Sequence, residues 1–486
     1  MERIRVEVEG IVQGVGFRPF IFRLASRHDI SGWVRNTPAG VLLEVEGAAS
    51  TLTSFLHDMS AEVPPLAVIT SVSSKKVTVV GSIGFEILAS VGGENNAQIS
   101  PDCDVCDDCL KELFDPHDRR YLYPFINCTN CGPRYSIITG VPYDRQFTTM
   151  EHFTMCADCR AEYEDPLQRR FHAQPNACPV CGPQIILVDR MGRSVKSQSE
   201  SNHNSFLKTA INLLHEGGIL AVKGTGGYHL AVDACNDTAV MKLRQRKQRD
   251  EKPFALMVAD LDHIEKIVWC NDIERRLLCG PERPIVLLPK RNANPIAALV
   301  APANGYFGVM LPSTPLHYLL LKNNFTALVM TSGNLSDEPI AFKDAEARNR
   351  LADIADMFLT HDREIHTRSD DSVIRVFQGN PLFLRRSRGY VPRAIRLPHA
   401  QPSVLAVGGE LKTAICLTRN DRAVMSQHIG DLKNSATLNS LEETVTHLEN
   451  ILDIQPTVVA HDLHPDYLSS VYAADQVGVP HVAVQH

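Results

Sequence analysis

The chain has 486 residues, enough for several domains rather than a single core. Apolar residues make up 44% and charged residues 22%, which excludes a disordered, collagen-like or coiled-coil chain. Its 49 basic residues stand against 56 acidic ones, a net charge of −7, so no global field draws it to nucleic acid. The opening MERIRVEVEG alternates like a strand and is not a secretory signal. No apolar run approaches the roughly 20 residues that span a bilayer. The expectation is a soluble, cytoplasmic protein with no membrane contact.

Residues 1–90 read as a small α+β domain. The strand IRVEVEGIV (4–12) precedes a helix with Phe17, Phe20, Ile21 and Leu24 on one face. GWVRN and VLLEVEG follow as strands, joined by a turn at Pro38-Ala39-Gly40. Leu52, Phe55, Leu56 and Met59 mark a second helix, and 67–88 supplies the last strand. The order βαββαβ is the ferredoxin-like arrangement. The segment from Gly10 to Arg18, GIVQGVGFR, joins the first strand to the first helix. Its glycines let successive N–H groups turn inward, and the helix N-terminus adds positive potential, which suits an anion. Arg18 can bind a phosphoryl group as a fork, and Asn36, after the next strand, can orient a water. The plain alternative is a tight turn with a solvent-facing arginine.

Residues 101–190 are rich in Cys, Pro and Asp. The chain has 13 cysteines, and all but four lie between Cys103 and Cys181. Without a secretory signal, that density indicates metal rather than disulfides. Cys106, Cys109, Cys128 and Cys131 recur, at an offset of fifty, as Cys156, Cys159, Cys178 and Cys181. Glu112/Glu162, Arg119/Arg169, Arg120/Arg170 and Gly132/Gly182 repeat at the same offset, the mark of duplicated modules. Two Cys-x2-Cys turns close a tetrahedral shell around one Zn2+ with no open position, so two structural zinc sites are expected. Pairing within each repeat or interleaved between repeats stays open. Cys103 is a bystander or a substitute ligand. A polar stretch at 194–205 reads as a linker.

Residues 205–390 alternate the apolar strands GILAVKG, FALMVA, PIVLLP, ALVMTSG and MFLTH with helical stretches, the pattern of an α/β domain with a substantial sheet. KLRQRKQRDEKPFALMV (242–258) sets six basic side chains ahead of a buried strand, and Thr331-Ser332-Gly333-Asn334 closes another. Cations and hydroxyls converging at carboxyl ends of strands suit a polyphosphate. A solvated helix face is the usual fate of such a run. Residues 391–402 read as a second linker. From Ser403 a new α/β pattern begins, with VLAVGGE, TAICLTR, AVMSQHIG, TVVAHDL and HVAVQH as strands and a helix around 437–452. The chain stops at His486, directly after a strand, and the expectation for 403–486 is a partial, truncated domain. Cys235, Cys270, Cys279 and Cys416 read as buried or incidental thiols, and Trp33 and Trp269 as core. His317 reads as a pocket or packed residue. His461 and His464 read as members of a metal or nucleotide site, or as loop residues.

The motifs carry resemblances. VQGVGFRPF, with Asn36 downstream, resembles the acylphosphatase signature. That implies a phosphate loop of Gln13, Gly14, Val15, Gly16 and Phe17, with Arg18 binding phosphate and Asn36 positioning the attacking water. Residues 205–390 resemble the threonylcarbamoyladenylate synthase (YrdC-like) domain. Its Lys-x-Arg element matches Lys247 and Arg249, and its Ser-x-Asn element matches Ser332 and Asn334. This implies a nucleotide site that makes a carbamoyl-type adenylate from ATP with Mg2+.

The order of segments resembles the hydrogenase-maturation carbamoyltransferase family HypF. The fold class implied is multidomain α+β and α/β. It comprises a ferredoxin-like acylphosphatase domain, two four-cysteine zinc modules, a YrdC-like α/β domain and part of an actin-like ATPase (ASKHA) lobe. The family implies a relay. Carbamoyl phosphate is hydrolysed to carbamate, carbamate and ATP give carbamoyl adenylate, and the carbamoyl group passes to the C-terminal cysteine of HypE as a precursor of hydrogenase cyanide ligands. A chain with half a final lobe is expected to make the adenylate but to transfer poorly. The rival is a zinc-containing RNA-binding or tRNA-modifying protein using Arg244, Arg246, Lys247 and Arg249. The N-terminal loop discriminates, since an RNA module has no use for it.

Overall fold

The computed structural model describes residues 1–37, 39–89, 99–141, 143–195, 203–335 and 338–485. Pro38 of the expected turn, residues 196–202 of the expected linker, and His486 lie outside the described residues.

The first sheet contains β1 (Glu2–Ile11), β2 (Ser31–Thr37), β3 (Gly40–Gly47), β4 (Val68–Val77) and β5 (Phe85–Ile87), in the order β4-β1-β3-β2-β5. Alternation along β1 sends Ile4, Val6 and Val8 inward and leaves Glu7 and Glu9 outside. They share a core with Phe17, Ile21 and Leu24 of α1 (Phe17–Arg27) and with Phe55 and Met59 of α2 (Ala49–Ala61). Burying each such side chain is worth about 1.5–3 kcal/mol, which holds the helices on the sheet. The segment 67–88 is two strands rather than one. β4 runs antiparallel to β1, and β5 runs parallel to β2.

In the cysteine repeats, α3 (Asp107–Phe114) starts after Cys106 and α4 (Ala157–Glu164) after Cys156, again fifty residues apart. The second sheet has ten strands: β6 (Ile185–Asp189), β7 (Leu220–Lys223), β8 (Tyr228–Asp233), β9 (Ala255–Val258), β10 (Ile285–Pro289), β11 (Tyr306–Met310), β12 (Ala327–Ser332), β13 (Met357–His361), β14 (Val373–Phe377) and β15 (Asn380–Arg385). Their order is β15-β14-β10-β11-β9-β12-β8-β7-β13-β6, with parallel and antiparallel pairs mixed. Both faces are covered, which is why its strands read as continuous apolar runs. One face buries Ala221, Val232 and Val329 against helices that include α6 (Asp237–Arg246), after α5 (His203–His215). The other buries Leu220, Val222 and Leu328 against α5 and against Leu113, Tyr123 and Phe125 of the cysteine modules. Ile185–Asp189, read as the end of the second module, is therefore an edge strand of this sheet, antiparallel to β13.

The third sheet runs β16-β18-β17-β19-β20, with β16 (Ile395–Gln401), β17 (Val404–Ala406), β18 (Cys416–Met425), β19 (Val458–Asp462) and β20 (His481–Val484). The expected linker 391–402 thus contains an edge strand paired with β18. TAICLTR and AVMSQHIG, read as separate strands, share one continuous strand through Asn420, which takes φ 54. A long helix, Ser435–Leu452, packs Leu441, Val445 and Leu448 into this core.

The cysteine modules touch every other part. Arg134 Nε donates to the carbonyl of Gly14 at 2.9 Å. Asp104 accepts from Arg283 at 2.5 Å and from the Tyr318 hydroxyl at 3.2 Å. The Tyr135 hydroxyl donates to Gln427 at 2.9 Å. Neither tryptophan is in the core. Trp33 is half-buried beneath Arg35, and Trp269 is 57% exposed with the Arg291 guanidinium 3.7 Å from its ring centre. No helix among the described residues is long and apolar enough to cross a membrane.

Candidate functional site

The N-terminal loop is built against the cysteine modules. Gln13 donates to the carbonyls of Thr37 and Gly40, at 2.8 Å each, and so ties the loop to the β2–β3 turn. Val15 and Phe17 are buried and anchor it from below. Gly14 and Gly16 take φ 69 and 74. A Cβ at Gly14 would stand 3.0 Å from the Tyr143 ring, and one at Gly16 would stand 2.8 Å from Thr129 Oγ1. Both turn geometry and close approach therefore require glycine. Arg18 is half-buried and has no hydrogen-bond or ion-pair partner among the described residues. Burial pushes its pKa down, and the charge of Asp144 opposes the shift. Asn36 lies on β2 itself, opposite Val41, and its buried Oδ1 has no partner among the described residues.

Arg18 and Asn36 line one cleft with Gly14, Tyr143, His172 and Arg134. The last three escape sequence reading because they come from the cysteine modules, over 100 residues away. Arg134 is 1% exposed. Besides Gly14, it donates to the carbonyls of Cys128 (3.2 Å), Thr129 (3.0 Å), Cys131 (3.0 Å) and Pro133 (2.8 Å). One guanidinium thus holds both a cysteine turn and the N-terminal glycine loop.

The cysteines pair within repeats. Cys106, Cys109, Cys128 and Cys131 bring their sulfurs within 4.8 Å of one another, and so do Cys156, Cys159, Cys178 and Cys181. In the first set, Sγ–Sγ separations are 3.6 Å (Cys106–Cys128), 3.8 Å (Cys128–Cys131) and 3.5 Å (Cys109–Cys131). In the second they are 3.7 Å (Cys156–Cys178) and 3.8 Å (Cys178–Cys181). An ion about 2.3 Å from four tetrahedral sulfurs holds them roughly 3.8 Å apart, so both sets fit zinc. Cys103 is outside the set. Its thiol donates to the Gly132 carbonyl at 3.4 Å, and burial pushes its pKa up to about 12.

The charges around the sulfurs are crossed between repeats. Arg169, in the second repeat, points NH1 at Cys109 Sγ (3.2 Å) and Nε at Glu112 (3.2 Å), both in the first. Arg119, in the first, reaches Cys159 Sγ at 2.8 Å and Glu162 at 3.1 Å, both in the second. Arg120 also bonds Glu162, and Arg170 bonds Glu112.

At the carboxyl end of β12 the structure brings together Lys247, Arg249, Ser332 and Asn334. Lys247 follows α6 and is buried. Its Nζ donates to the carbonyls of Ser332 (2.8 Å) and Asn334 (2.6 Å) and to Asn334 Oδ1 (2.9 Å). Ser332 Oγ donates to the same Oδ1 at 2.9 Å, and Arg249 reaches Thr331 Oγ1 at 3.3 Å. Burial, with the charges of Arg249 and Lys252, pushes Lys247 down to about 7, and burial with Arg244 and Arg385 takes Arg249 down to about 10. Cations crowded in this way are relieved by an anion.

Three more of the six basic side chains in the run turn inward, while Lys252 is exposed. Arg244 bonds the carbonyls of Leu299 and Arg249, while Lys242 and Arg246 share Asp356. The run is therefore neither a solvated face nor a patch open to RNA. His317 is a packed residue, buried 3.4 Å from Ser313 Oγ, and burial pushes it down to about 3. His461 sits on β19 against the Asp462 carbonyl, and His464 stacks on Tyr467. Neither belongs to a metal-capable cluster among the described residues. Cys235, Cys270 and Cys416 are half-buried and Cys279 is exposed, all as free thiols.

The acylphosphatase family matches residues 4–87, and the HypF finger matches 105–138 and 155–188. The telomere recombination family (Sua5, YciO, YrdC) matches 212–387, and the HypF Kae1-like domain matches 399–486. Carbamoyltransferase HypF2 of Cupriavidus necator is 49% identical over 509 residues, covering 100% of this chain and 62% of that protein. Along its whole length the chain is similar to HypF carbamoyltransferases. Carbamoyltransferase HypF of Synechocystis is 46% identical, over 100% of this chain and 63% of that protein. A crystal structure of full-length HypF in a phosphate- and nucleotide-bound form superposes with a TM-score of 0.94 at 44% identity, again over 100% of this chain and 63% of the other. The chain thus spans somewhat under two thirds of the length of these HypF relatives.

Proposed function

We propose that this chain carries out the first two steps of a HypF carbamoyl relay. Carbamoyl phosphate binds in the N-terminal cleft, where the loop amides and Arg18 hold the phosphoryl oxygens. Asn36 Oδ1 accepts a hydrogen bond from a water that attacks phosphorus, and carbamate leaves. Arg18 stabilises charge that grows on the phosphoryl group, the largest catalytic contribution available here. At the second site a carbamate oxygen attacks the α-phosphorus of ATP, bound with Mg2+, and pyrophosphate leaves. Lys247 and Arg249 offset the phosphate charge, and Ser332 and Asn334 orient it. In the whole protein the carbamoyl group then passes to the C-terminal cysteine of HypE, in the cytoplasm, as a precursor of hydrogenase cyanide.

One observation carries the reading. An acylphosphatase segment, two HypF fingers and a YrdC-type segment occur in that order in a chain 49% identical to a carbamoyltransferase. Thr129 and Arg134 line the phosphate cleft, while Gly132 and Pro133, in the same turn, line a second cleft with Lys223, Ser313 and Arg363. Carbamate decomposes readily in water, which favours an enclosed path from the first site to the second. The test is conversion of ATP to AMP and pyrophosphate by this chain. Formation only when carbamoyl phosphate is supplied is expected. AMP formation at the same rate without it would overturn the reading.

A further inference from the structure

The offset of fifty pairs each position of one cysteine module with a position of the other. A difference between paired positions marks a side chain that the module itself does not require. Leu122 and His172 are such a pair. Both take left-handed backbone, with φ 55 and 51. Both donate N–H to the end of the preceding helix, Leu122 to Leu113 at 2.8 Å and His172 to Tyr163 at 3.0 Å. The turn is common architecture. Leu122 spends its side chain on the core shared with the large sheet. His172 instead faces the phosphate cleft, across from Arg18, Asn36 and Gly14. Its ring stacks on Tyr163 at 5.0 Å and on Phe171 at 4.2 Å, which fixes its orientation. The imidazole has no hydrogen-bond partner among the described residues. Burial and the charge of Arg18 push its pKa down to about 4, so it presents a lone-pair nitrogen at neutral pH.

The chemistry of the cleft makes that acceptor unusual. A phosphoryl group takes donors, and the loop amides and Arg18 are donors. Asn36 Oδ1 is an acceptor suited to the attacking water. The acyl end of the substrate is where acyl phosphates differ. A carbamoyl group carries an NH2 with two donors, whereas an acetyl group carries a methyl with none. A fixed neutral imidazole distinguishes the two.

We propose that His172, on the second zinc module, is the specificity residue of the N-terminal cleft, accepting a hydrogen bond from the NH2 of a carbamoyl-bearing phosphate and so selecting it over a simple acyl phosphate. The proposal rests on the reading of this cleft as a hydrolase site. It gives the zinc module a substrate-selecting role in addition to its structural one.

The test measures phosphate release from carbamoyl phosphate and from acetyl phosphate by the full chain, as kcat and KM. Three chains are compared: the wild type, His172→Leu and His172→Gln. His172→Leu installs the side chain that the paired turn already tolerates, and His172→Gln keeps an acceptor. A zinc content of two confirms folding in each. One neutral hydrogen bond is worth about tenfold. The ratio of kcat/KM for carbamoyl phosphate over acetyl phosphate is therefore expected to fall roughly tenfold in His172→Leu, chiefly through KM, and to recover in His172→Gln. An unchanged ratio in His172→Leu, or an equal fall in both variants, would overturn the role of His172. No phosphate release from either compound by the wild type would overturn the hydrolase reading and this proposal with it.

Discussion

Arg169→Ala should loosen the zinc site of the module to which Arg169 does not belong. Its guanidinium lies 3.2 Å from Cys109 Sγ and 3.9 Å from Cys106 Sγ, and it pairs with Glu112, all in the first repeat. Four thiolates around a dication leave a net charge of −2, and a half-buried guanidinium offsets part of it. A charge-assisted hydrogen bond contributes roughly 1.5–3 kcal/mol. Outer partners of metal ligands typically account for about 10–100-fold in affinity. Both lines give a loss of one to two orders of magnitude at Cys106, Cys109, Cys128 and Cys131. Arg119→Ala should do the same at Cys156, Cys159, Cys178 and Cys181, because its NH2 lies 2.8 Å from Cys159 Sγ. Competition with a chromophoric chelator resolves a weak and a tight ion. Alkylation of the freed thiols, read by mass spectrometry, identifies which set released first. Early release from the Cys156 set in Arg169→Ala, or from the Cys106 set in Arg119→Ala, would refute the crossed assignment.

Elemental analysis should find two zinc ions per chain, still two in Cys103→Ser, whose thiol bonds a carbonyl rather than joining the ligand set, and one in Cys109→Ser. Arg18→Ala should slow phosphate release from carbamoyl phosphate by about 10²–10³. Lys247→Ala should stop AMP formation while phosphate release continues, and loss of both would contradict separate sites. ATP binding should weaken as pH rises above about 7, where free Lys247 loses its proton but a bound polyphosphate restores it. Calorimetry in buffers of different ionisation enthalpy should show proton uptake on binding at pH 8. For stability the sign is opposite. The folded pKa of Lys247 is depressed, so between about 7 and the ordinary lysine value the unfolded chain holds more protons, and this group's contribution to stability grows with pH. Urea midpoints for wild type and Lys247→Met across that window read the difference.

Chemistry carried by neighbours in sequence was legible in the sequence, and chemistry carried by packing was not. Cys-x2-Cys turns and the Gly14 and Gly16 loop are local, so their residue types and spacing alone indicate metal and anion. Lys247 and Ser332 are 85 residues apart, and resemblance to a family, not periodicity, joins them. β16 reads as a linker because IRLPHAQ lies at a sheet edge, almost wholly exposed, and carries a proline that an edge strand tolerates. Trp269 reads as core, yet a guanidinium stacked on its face lets an indole stay at the surface.

The duplicated arginines are the instructive case. Glu112/Glu162, Arg119/Arg169 and Arg120/Arg170 are plain in the sequence as a repeat. When both copies hold the same residues, however, an arginine can meet the carboxylate of its own copy or that of the other, and the two solutions have the same sequence. Only the packing of one copy on the other decides. The crossed solution makes each zinc shell depend on the presence of its neighbour. A single copy would then leave a thiolate cluster without its outer cations and an arginine such as Arg120, 1% exposed, without its carboxylate. Because an unpaired buried charge costs several kcal/mol, the folding unit is the pair of modules rather than either one.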